Sequence, residues 1–299
     1  MTDPLSLYHF ALAAGGGRID GVDVPALVAA GVTLLQRSAP LVRALAGRRA
    51  AVLLPLGPGV VVAMAASDGR GAVFLDPQAT NAELAHQMTE AGVGAVFTMT
   101  AMTARFAPAT TLVLLDDAPR SARVRSGELV RDVDLGSHHG LMLEGARDAI
   151  GLDEECGVEC VAGKGSETRW SHREILARAH AIRAALGLTP DDHTLVLAPF
   201  APRTAMLAAV GAPLLAGGQV TTMTMDSPHD VMAYVEAHGV TAIVGDVLAF
   251  DLLVQSLDAP GIARTAPHLR NAACLGGLGR GTLAERFRDA TGVALRDDL

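Results

Sequence analysis

The sequence predicts an α/β protein of two similar lobes, each with a largely parallel sheet covered by helices. Three observations lead to this prediction. Apolar segments of strand length alternate with segments of helix length along most of the 299 residues. The stretch 51–98 has a second version at 195–245. Apolar residues make up 50% of the chain and aromatic residues only 3%, so Ala, Val and Leu must build a large core.

The duplication sets the order of elements in both lobes. Each copy reads as strand, proline turn, apolar helix, strand, amphipathic helix, strand, and strands joined in this way are parallel and apolar on both faces. The second strand ends at an acid followed by a helix start, Asp76-Pro77 in the first copy and Asp226-Ser227-Pro228 in the second. The matching positions are Val52, Leu53, Pro55, Pro58, Val73, Gly92, Val93 and Ala95 with Val196, Leu197, Pro199, Pro202, Val220, Gly239, Val240 and Ala242.

The stretches outside the duplication complete the two predicted lobes. A helical segment precedes the first copy. Residues 117–158 are charged, rich in turn residues and then acidic, which is typical of a surface connector with short strands. We therefore expect a boundary near residue 145, with the first lobe at 1–145, including the N-terminal helical segment and the connector, and the second lobe at 146–299.

Composition excludes several classes of function. The net charge is −8 and Lys164 is the only lysine among 24 basic residues, which argues against a nucleic-acid partner. Three cysteines cannot all pair within the chain, and the N-terminus lacks a basic segment followed by a long apolar one, so we expect no secretion signal and a cytoplasmic location. The uncharged runs 50–67 and 204–225 are interrupted by proline or glycine, so we expect no membrane span.

Metal and hydrolase motifs are weak. Cys156 and Cys160 with His172 fit no common zinc spacing and predict ordinary free thiols. His138-His139, near Asp132 and Asp134, predicts a polar loop. No local motif of a Ser/His/Asp or Cys/His nucleophile is present, so we expect no metal and no hydrolase centre.

The order of several blocks resembles the adenylate-forming superfamily, which includes acyl- and aryl-CoA synthetases, peptide-synthetase adenylation domains and luciferases. The blocks are AVLLPLGPGVVVAMAASDGRGAVFLDP, AELAHQMTEAGVGAVFT, SHREILARAHAIRAALGLTPDD, VLAPFAPRTAMLAAVGAPLLAGGQV, GVTAIVGDVLAFDLL and CLGGLGRGTLAERFRDATGVAL. The resemblance covers about residues 45–295. It implies the first part of the large N-terminal domain of acyl-CoA synthetases.

The stretch CVAGKGSETRWSH, residues 160–172, corresponds to the phosphate-binding loop of that family. The Ser/Thr-rich half of the family loop is replaced by Cys160–Gly163, and Glu167 falls where the family has its lysine. Two interpretations remain open: residual binding of phosphate or CoA by Lys164 and Ser166, or a solvated turn before a helix capped by Ser171. The loop remnant comprises Lys164, Gly165, Ser166, Thr168, Ser171 and His172.

The resemblance also places an acyl pocket at the carboxyl ends of the second-lobe strands. Phe200-Ala201 stands where the family has an aromatic residue followed by histidine, so the histidine that often gates this pocket is absent. The same positions can equally be core residues at a lobe junction, or line an apolar slot. The candidate pocket residues are Phe200, Ala201, Thr204, Val244, Gly245 and Asp246.

Further family groups are not matched. The family's magnesium-binding acid follows the strand that here ends at Leu295, where this chain reads RDDL, and the family's catalytic lysine would lie beyond residue 299. We therefore assign no catalytic residue and expect no cofactor. The one alternative is residual binding of ATP with magnesium, or of CoA.

Three functions follow as hypotheses. The first is a truncated, non-catalytic binding or scaffold subunit of a larger assembly, or a homo-oligomer, associated through apolar surface. The second is one half of a split ATP-dependent acyl-activating ligase, with a partner supplying the missing half. The third is a sensor that binds an acyl-CoA or a nucleotide without turnover.

Overall fold

The structure, a computed structural model, describes residues 7–67, 71–115, 120–136, 151–160, 167–197, 204–223, 228–257, 266–275 and 282–297. Contacts divide the chain into two compact units. The first consists of Met1–Ala14, Val22–Leu176 and Phe200–Thr204, and the second of Gly15–Gly21, Ala177–Pro199 and Ala205–Leu299.

The helices and strands alternate as the duplication predicts. In chain order they are α1 Tyr8–Gly15, β1 Arg18–Ile19, β2 Val22–Asp23, α2 Val24–Arg37, α3 Ala39–Leu45, β3 Arg49–Leu53, α4 Pro58–Ala66, β4 Ala72–Phe74, α5 Asn81–Glu90, β5 Val93–Thr98, a 3₁₀ helix Thr100–Arg105, β6 Thr111–Leu114, β7 Ser121–Ser126, β8 Leu129–Asp134, β9 Glu155–Cys160, β10 Glu167–Ser171, α6 His172–Leu186, β11 His193–Leu197, α7 Thr204–Leu215, β12 Gln219–Met223, α8 Pro228–Ala237, β13 Ala242–Asp246, α9 Val247–Leu257, β14 Asn271–Leu275, α10 Leu283–Thr291 and β15 Leu295–Arg296.

The first unit contains an eight-stranded sheet in the order β10-β9-β4-β3-β5-β6-β7-β8. Its five central strands, β9 to β6 in that order, are parallel, and the outer strands β10, β7 and β8 are antiparallel to their neighbours. Strand β3 is buried from its second residue onward. A strand in the middle of a parallel sheet is covered on both faces, so a continuous apolar run is expected there.

Two helices of this unit pack with unusually close backbones. Helix α4 is apolar on all sides and almost wholly buried. Gly31 of α2 lies against it: a Cβ added to Gly31 would lie 2.5 Å from the carbonyl oxygen of Val62 and 2.6 Å from the Cβ of Ala65. Only glycine therefore permits this approach.

The second unit contains the strands β15-β14-β13-β11-β12-β1, hydrogen-bonded in that order. The pairs from β15 to β1 are parallel. Its three strands β12-β11-β13 repeat the order β4-β3-β5 of the first unit, which confirms the predicted duplication. Phe250 of α9 and Phe287 of α10 meet edge to face at 5.3 Å in the core of this unit, and both are fully buried.

Strand β1 brings a segment close to the N-terminus into the second unit. Arg18 and Ile19 pair with Gln219 and Val220 of β12. The glycines before β1 permit close contact, because a Cβ on Gly17 would lie 2.7 Å from the carbonyl oxygen of Gly218. Glycine at 15 and 17 is therefore a steric requirement of this close contact, whereas Gly16 has a positive φ that favours glycine.

The predicted boundary near residue 145 is not where the contacts divide the chain. Strand β9 hydrogen-bonds to β4 and strand β10 to β9, so residues 151–176 belong to the first unit. The turn-rich composition of 117–158 marks a surface connector, as the strands β7 and β8 confirm, but composition does not reveal which sheet the following strands join.

The two uncharged runs are each divided between a strand and a helix, β3 with α4 and α7 with β12. In the described ranges no single helix is long and apolar enough to cross a membrane. The pair α2 and α3 passes that test of length and composition only when the two are taken together, and it is bent by 91°.

Candidate functional site

The described part of the loop remnant lies on β10 and at the start of α6, in the first unit. Its members Lys164, Gly165 and Ser166 are outside the described residues. Thr168 lies on β10, where it is exposed and pairs with Glu159 of β9. The structure thus brings together Thr168, Ser171 and His172 on one strand and the helix that follows it.

Ser171 caps helix α6. Its hydroxyl accepts a hydrogen bond from the backbone N–H of Glu174 at 3.2 Å, and the Glu174 carboxylate accepts from the Ser171 N–H at 2.8 Å. This reciprocal pair is a capping box, and it confirms the predicted cap. These hydrogen bonds lower the pKa of the Glu174 carboxyl below its ordinary value.

The next backbone donors of α6 are also engaged. The N–H of His172 donates to the carbonyl oxygen of Glu154 at 3.2 Å, and that of Arg173 donates to Leu152 at 2.9 Å. The Arg173 guanidinium binds the Asp153 carboxylate at 2.6 and 3.1 Å. A helix can bind an anion through the free N–H groups of its first turn. Here protein oxygens occupy those of residues 171–174.

His172 is buried and takes part in the packing of the first unit. Its Nδ1 accepts a hydrogen bond from the backbone N–H of Tyr8 at 3.2 Å, and its ring lies 6.3 Å, centroid to centroid, from that of His9. Because Nδ1 accepts, any proton of the neutral ring is on Nε2. The sequence resemblance pointed to His172 but gave no indication of Tyr8 or His9, which precede it by more than 160 residues.

His9 is a buried histidine. It is 1% exposed, and neither ring nitrogen has a hydrogen-bond partner among the residues that the structure describes. Burial, and then the neighbouring His172, lower the pKa of His9 to about 3. Burial also raises the pKa of Tyr8 well above its ordinary value, and Cys156 adds to this. This part of the site is therefore uncharged at neutral pH.

Of the acyl-pocket candidates, Val244, Gly245 and Asp246 lie in the carboxyl half of β13, in the second unit. Phe200 and Ala201 are outside the described residues, and Thr204 begins α7. Val244 is buried in β13, and a Cβ on Gly245 would lie 3.2 Å from that of Leu197. These two positions are core positions of the sheet.

Asp246 ends β13 and caps the following helix. Its carboxylate accepts the N–H of Ala249 at 2.8 Å. Cys274 on the neighbouring strand β14 is fully buried, and its pKa is raised to about 11 by burial and then by the charges of Asp246 and Asp297. The thiol is therefore protonated at neutral pH and is not a nucleophile.

The described residues do not fit a magnesium triphosphate. In the first turn of α6 the donors named above are occupied, and Asp246 at the sheet edge of the second unit serves a helix. Within the same described ranges, no group of three or more His, Cys, Asp or Glu side chains could hold a metal ion. The three cysteines are free and buried, as expected from their spacing.

A family model and several solved structures match this chain, and the solved structures have the same fold. Residues 169–297 match the family model described as AMP-binding enzyme. MatB from Rhodopseudomonas palustris has the same fold, with a TM-score of 0.72 and 16% identity over 98% of this chain. CmiS6 gives a TM-score of 0.76 and 15% identity over 99% of the chain and 72% of its own length. The amide bond synthetase McbA from Marinactinospora thermotolerans gives a TM-score of 0.69 and 17% identity over 97% of this chain and 58% of its own.

The match in length is partial. The chain spans 59% of the length of MatB, and no curated protein sequence matches it. At such low identities the structural likeness concerns the fold, which is that of the N-terminal domain of adenylate-forming enzymes.

Proposed function

We propose, from the match of residues 169–297 to the family model described as AMP-binding enzyme, that this chain is a non-catalytic relative of the adenylate-forming ligases. It acts by binding, as a subunit of a larger assembly. One observation carries the proposal. The resemblance places the end of a phosphate loop at the amino end of α6, and there the backbone N–H groups already donate to oxygen atoms of the protein itself.

The side chains at this helix support the same proposal. The Ser171 hydroxyl is used in the cap, and the His172 ring is buried against Tyr8 and His9. A triphosphate would have to displace the carbonyl oxygens of Leu152 and Glu154 and break the Ser171–Glu174 pair. Each of these hydrogen bonds contributes roughly 1 kcal/mol, and catalysis of phosphoryl chemistry needs such donors arranged before the substrate arrives.

The test is ATP–pyrophosphate exchange, together with equilibrium binding of ATP, using the purified chain. An active adenylate-forming enzyme serves as the positive control. We expect no exchange and no saturable ATP binding by the chain alone, and recovery of a complex of fixed stoichiometry in a native pull-down. Exchange by the chain alone contradicts the proposal.

A second candidate is one half of a split acyl-activating ligase. The observation that favours it is the length match: the chain spans 59% of MatB, so a partner would contribute the remaining functional groups. Exchange that appears only after addition of the co-purified partner identifies this function. A complex that forms without exchange identifies the binding subunit.

A further inference from the structure

A network of hydrogen-bonded side chains lies in the second unit, on residues that the family resemblance does not single out. His193 begins β11, Thr221 lies on β12 and Tyr234 lies on α8. The Nε2 atom of His193 is 2.9 Å from the Thr221 hydroxyl, and that hydroxyl is 3.1 Å from the Tyr234 hydroxyl. The Nδ1 atom of His193 is 3.2 Å from the carbonyl oxygen of His238.

The donors in this network can be assigned by starting from the carbonyl oxygen of His238 at one end. A carbonyl oxygen only accepts, so Nδ1 of His193 carries a hydrogen and donates to His238. In the neutral ring Nε2 is then bare and accepts from the Thr221 hydroxyl. The Thr221 oxygen in turn accepts from the Tyr234 hydroxyl. The hydrogens on the Tyr234 hydroxyl, the Thr221 hydroxyl and His193 Nδ1 therefore all have acceptors. The hydrogen bonds are donated in the order Tyr234 to Thr221, Thr221 to His193, and His193 to His238.

We propose that His193, Thr221 and Tyr234 form a proton-sensitive clamp that holds helix α8 on its sheet. When Nε2 takes up a proton it becomes a donor, and its hydrogen bond with Thr221 must reverse. Nε2–H then donates to the Thr221 oxygen, and either the Thr221 or the Tyr234 hydroxyl hydrogen loses its acceptor among these three side chains. The proton comes from solvent, and no covalent bond to carbon forms or breaks.

The position of His193 explains why its protonation weakens the attachment of α8 to the sheet. Its Nδ1–H donates to the residue that follows the last turn of α8, where His238 N–H binds Tyr234 and Val240 N–H binds Val235 at 3.0 and 3.2 Å. The Tyr234 and His238 rings stack at 3.9 Å. A charge on His193 therefore arises in a half-buried position beside a second imidazole.

The charged groups around His193 favour its neutral form on balance. Burial lowers the pKa of His193, the hydrogen bond to the His238 carbonyl opposes this, and the His238 charge lowers it further. Among the described side chains, the titratable groups on α8 are Asp230, Tyr234 and Glu236, and His238 follows its last residue. On the adjoining loops His268 lies beside Gly239, and the Asp192 carboxylate is engaged by Thr189, Thr241 and Arg270.

The first test is long-range ¹⁵N–¹H NMR of the full chain labelled at histidine, with pH titration. We expect His193 at neutral pH as the Nδ1–H tautomer, with an acceptor-type Nε2, and a titration midpoint below the ordinary value of 6.5. Finding the Nε2–H tautomer, or an ordinary midpoint, overturns the proposal. This measurement uses the unmodified protein and depends on no variant.

The second test is hydrogen exchange of the α8 amides as pH is lowered. A lowered pKa on His193 makes the opening equilibrium of α8 rise by up to about tenfold per pH unit between pH 6.5 and the midpoint of His193. We expect His193→Asn to abolish that pH dependence, since asparagine donates to His238 but does not titrate. The matched control His268→Gln removes a neighbouring imidazole and should leave the dependence intact. An unchanged slope in His193→Asn overturns the proposal.

Discussion

At the scale of single residues, the unusual feature is a pair of buried histidines in the first unit. His172 has a backbone hydrogen-bond donor, Tyr8, whereas both nitrogens of His9 are without partners. A buried polar group without a partner costs free energy, and a buried charge costs more. The first unit therefore retains His9 only in its neutral form, which links its stability to pH.

We predict that His9 makes the protein sensitive to acid. Its pKa is about 3 when folded and about 6.5 when unfolded, so the unfolded state binds more protons between these values. Stability is fully present above pH 6.5 and falls as pH drops toward 3, by up to about 1.4 kcal/mol per pH unit. Urea unfolding at a series of pH values from 7.5 to 4 measures this loss in the free energy of unfolding.

The matched variant for this prediction is His9→Leu, which fills the same apolar space without titrating. The difference in free energy of unfolding between His9→Leu and the native chain should grow as pH falls. A difference that stays constant with pH would rule out His9 as the source.

At the scale of single elements, helix ends and helix contacts determine local stability. Helix α5 begins with a capping box between Thr80 and Glu83, as α6 does with Ser171 and Glu174. Asp76-Pro77, where the sequence predicted a helix start, forms a turn in which Asp76 accepts the N–H of Gln78, and α5 begins after Thr80. The acid thus marks the turn before the helix.

Removal of the α6 cap should cost stability and change no nucleotide chemistry. We expect Ser171→Ala to lower the free energy of unfolding by about 1 kcal/mol, since one backbone donor loses its acceptor. Thr168→Ala, an exposed position on the adjacent strand, should change it by less than about 0.5 kcal/mol. Chemical unfolding measures both. If Ser171→Ala alters ATP binding without altering stability, the serine belongs to a phosphate site.

The contact between α2 and α4 should not tolerate a side chain at Gly31. Gly31→Ala places a Cβ against the Val62 carbonyl, at 2.5 Å before relaxation, and overpacking of this kind costs about 1 to 3 kcal/mol. The control is Gly151→Ala, where nothing lies within 4 Å of the added atom. Thermal unfolding should separate the two variants by several degrees. Equal melting temperatures would show that the helices move apart freely.

At the scale of the whole molecule, the duplication was readable from the sequence because strand and helix periods recur with the same proline and glycine positions. The partners of His172 were not readable. Tyr8 and His9 lie in an apolar helix with no motif, and only the tertiary fold brings them to α6. The predicted boundary near residue 145 differs from the division by contacts for the same reason, since strand composition does not specify which sheet β9 and β10 join.

A bulky residue at Gly17 should release β1 from the second unit. We expect Gly17→Val to expose the edge of β12, because its Cβ would meet the Gly218 carbonyl at 2.7 Å. Hydrogen exchange at Val220, whose carbonyl accepts the N–H of Asp20, and at its neighbours in β12 should accelerate. Gly127→Val, in the turn between β7 and β8 and at a positive φ that strains a valine, tests whether a destabilising valine elsewhere gives the same effect. Unchanged protection of β12 in Gly17→Val would contradict the steric requirement.

The pairing of β1 with β12 also affects how the chain is made. Ile19 pairs with Val220, so the ribosome adds roughly 200 residues between the synthesis of one strand and its partner, which takes about 10 to 40 s at common rates. During that interval the N-terminal strand has no edge to join, while the first unit's sheet can already form. Residues 15–21 should therefore remain unpaired until β12 has been made, and the second unit becomes complete only after translation has passed β12.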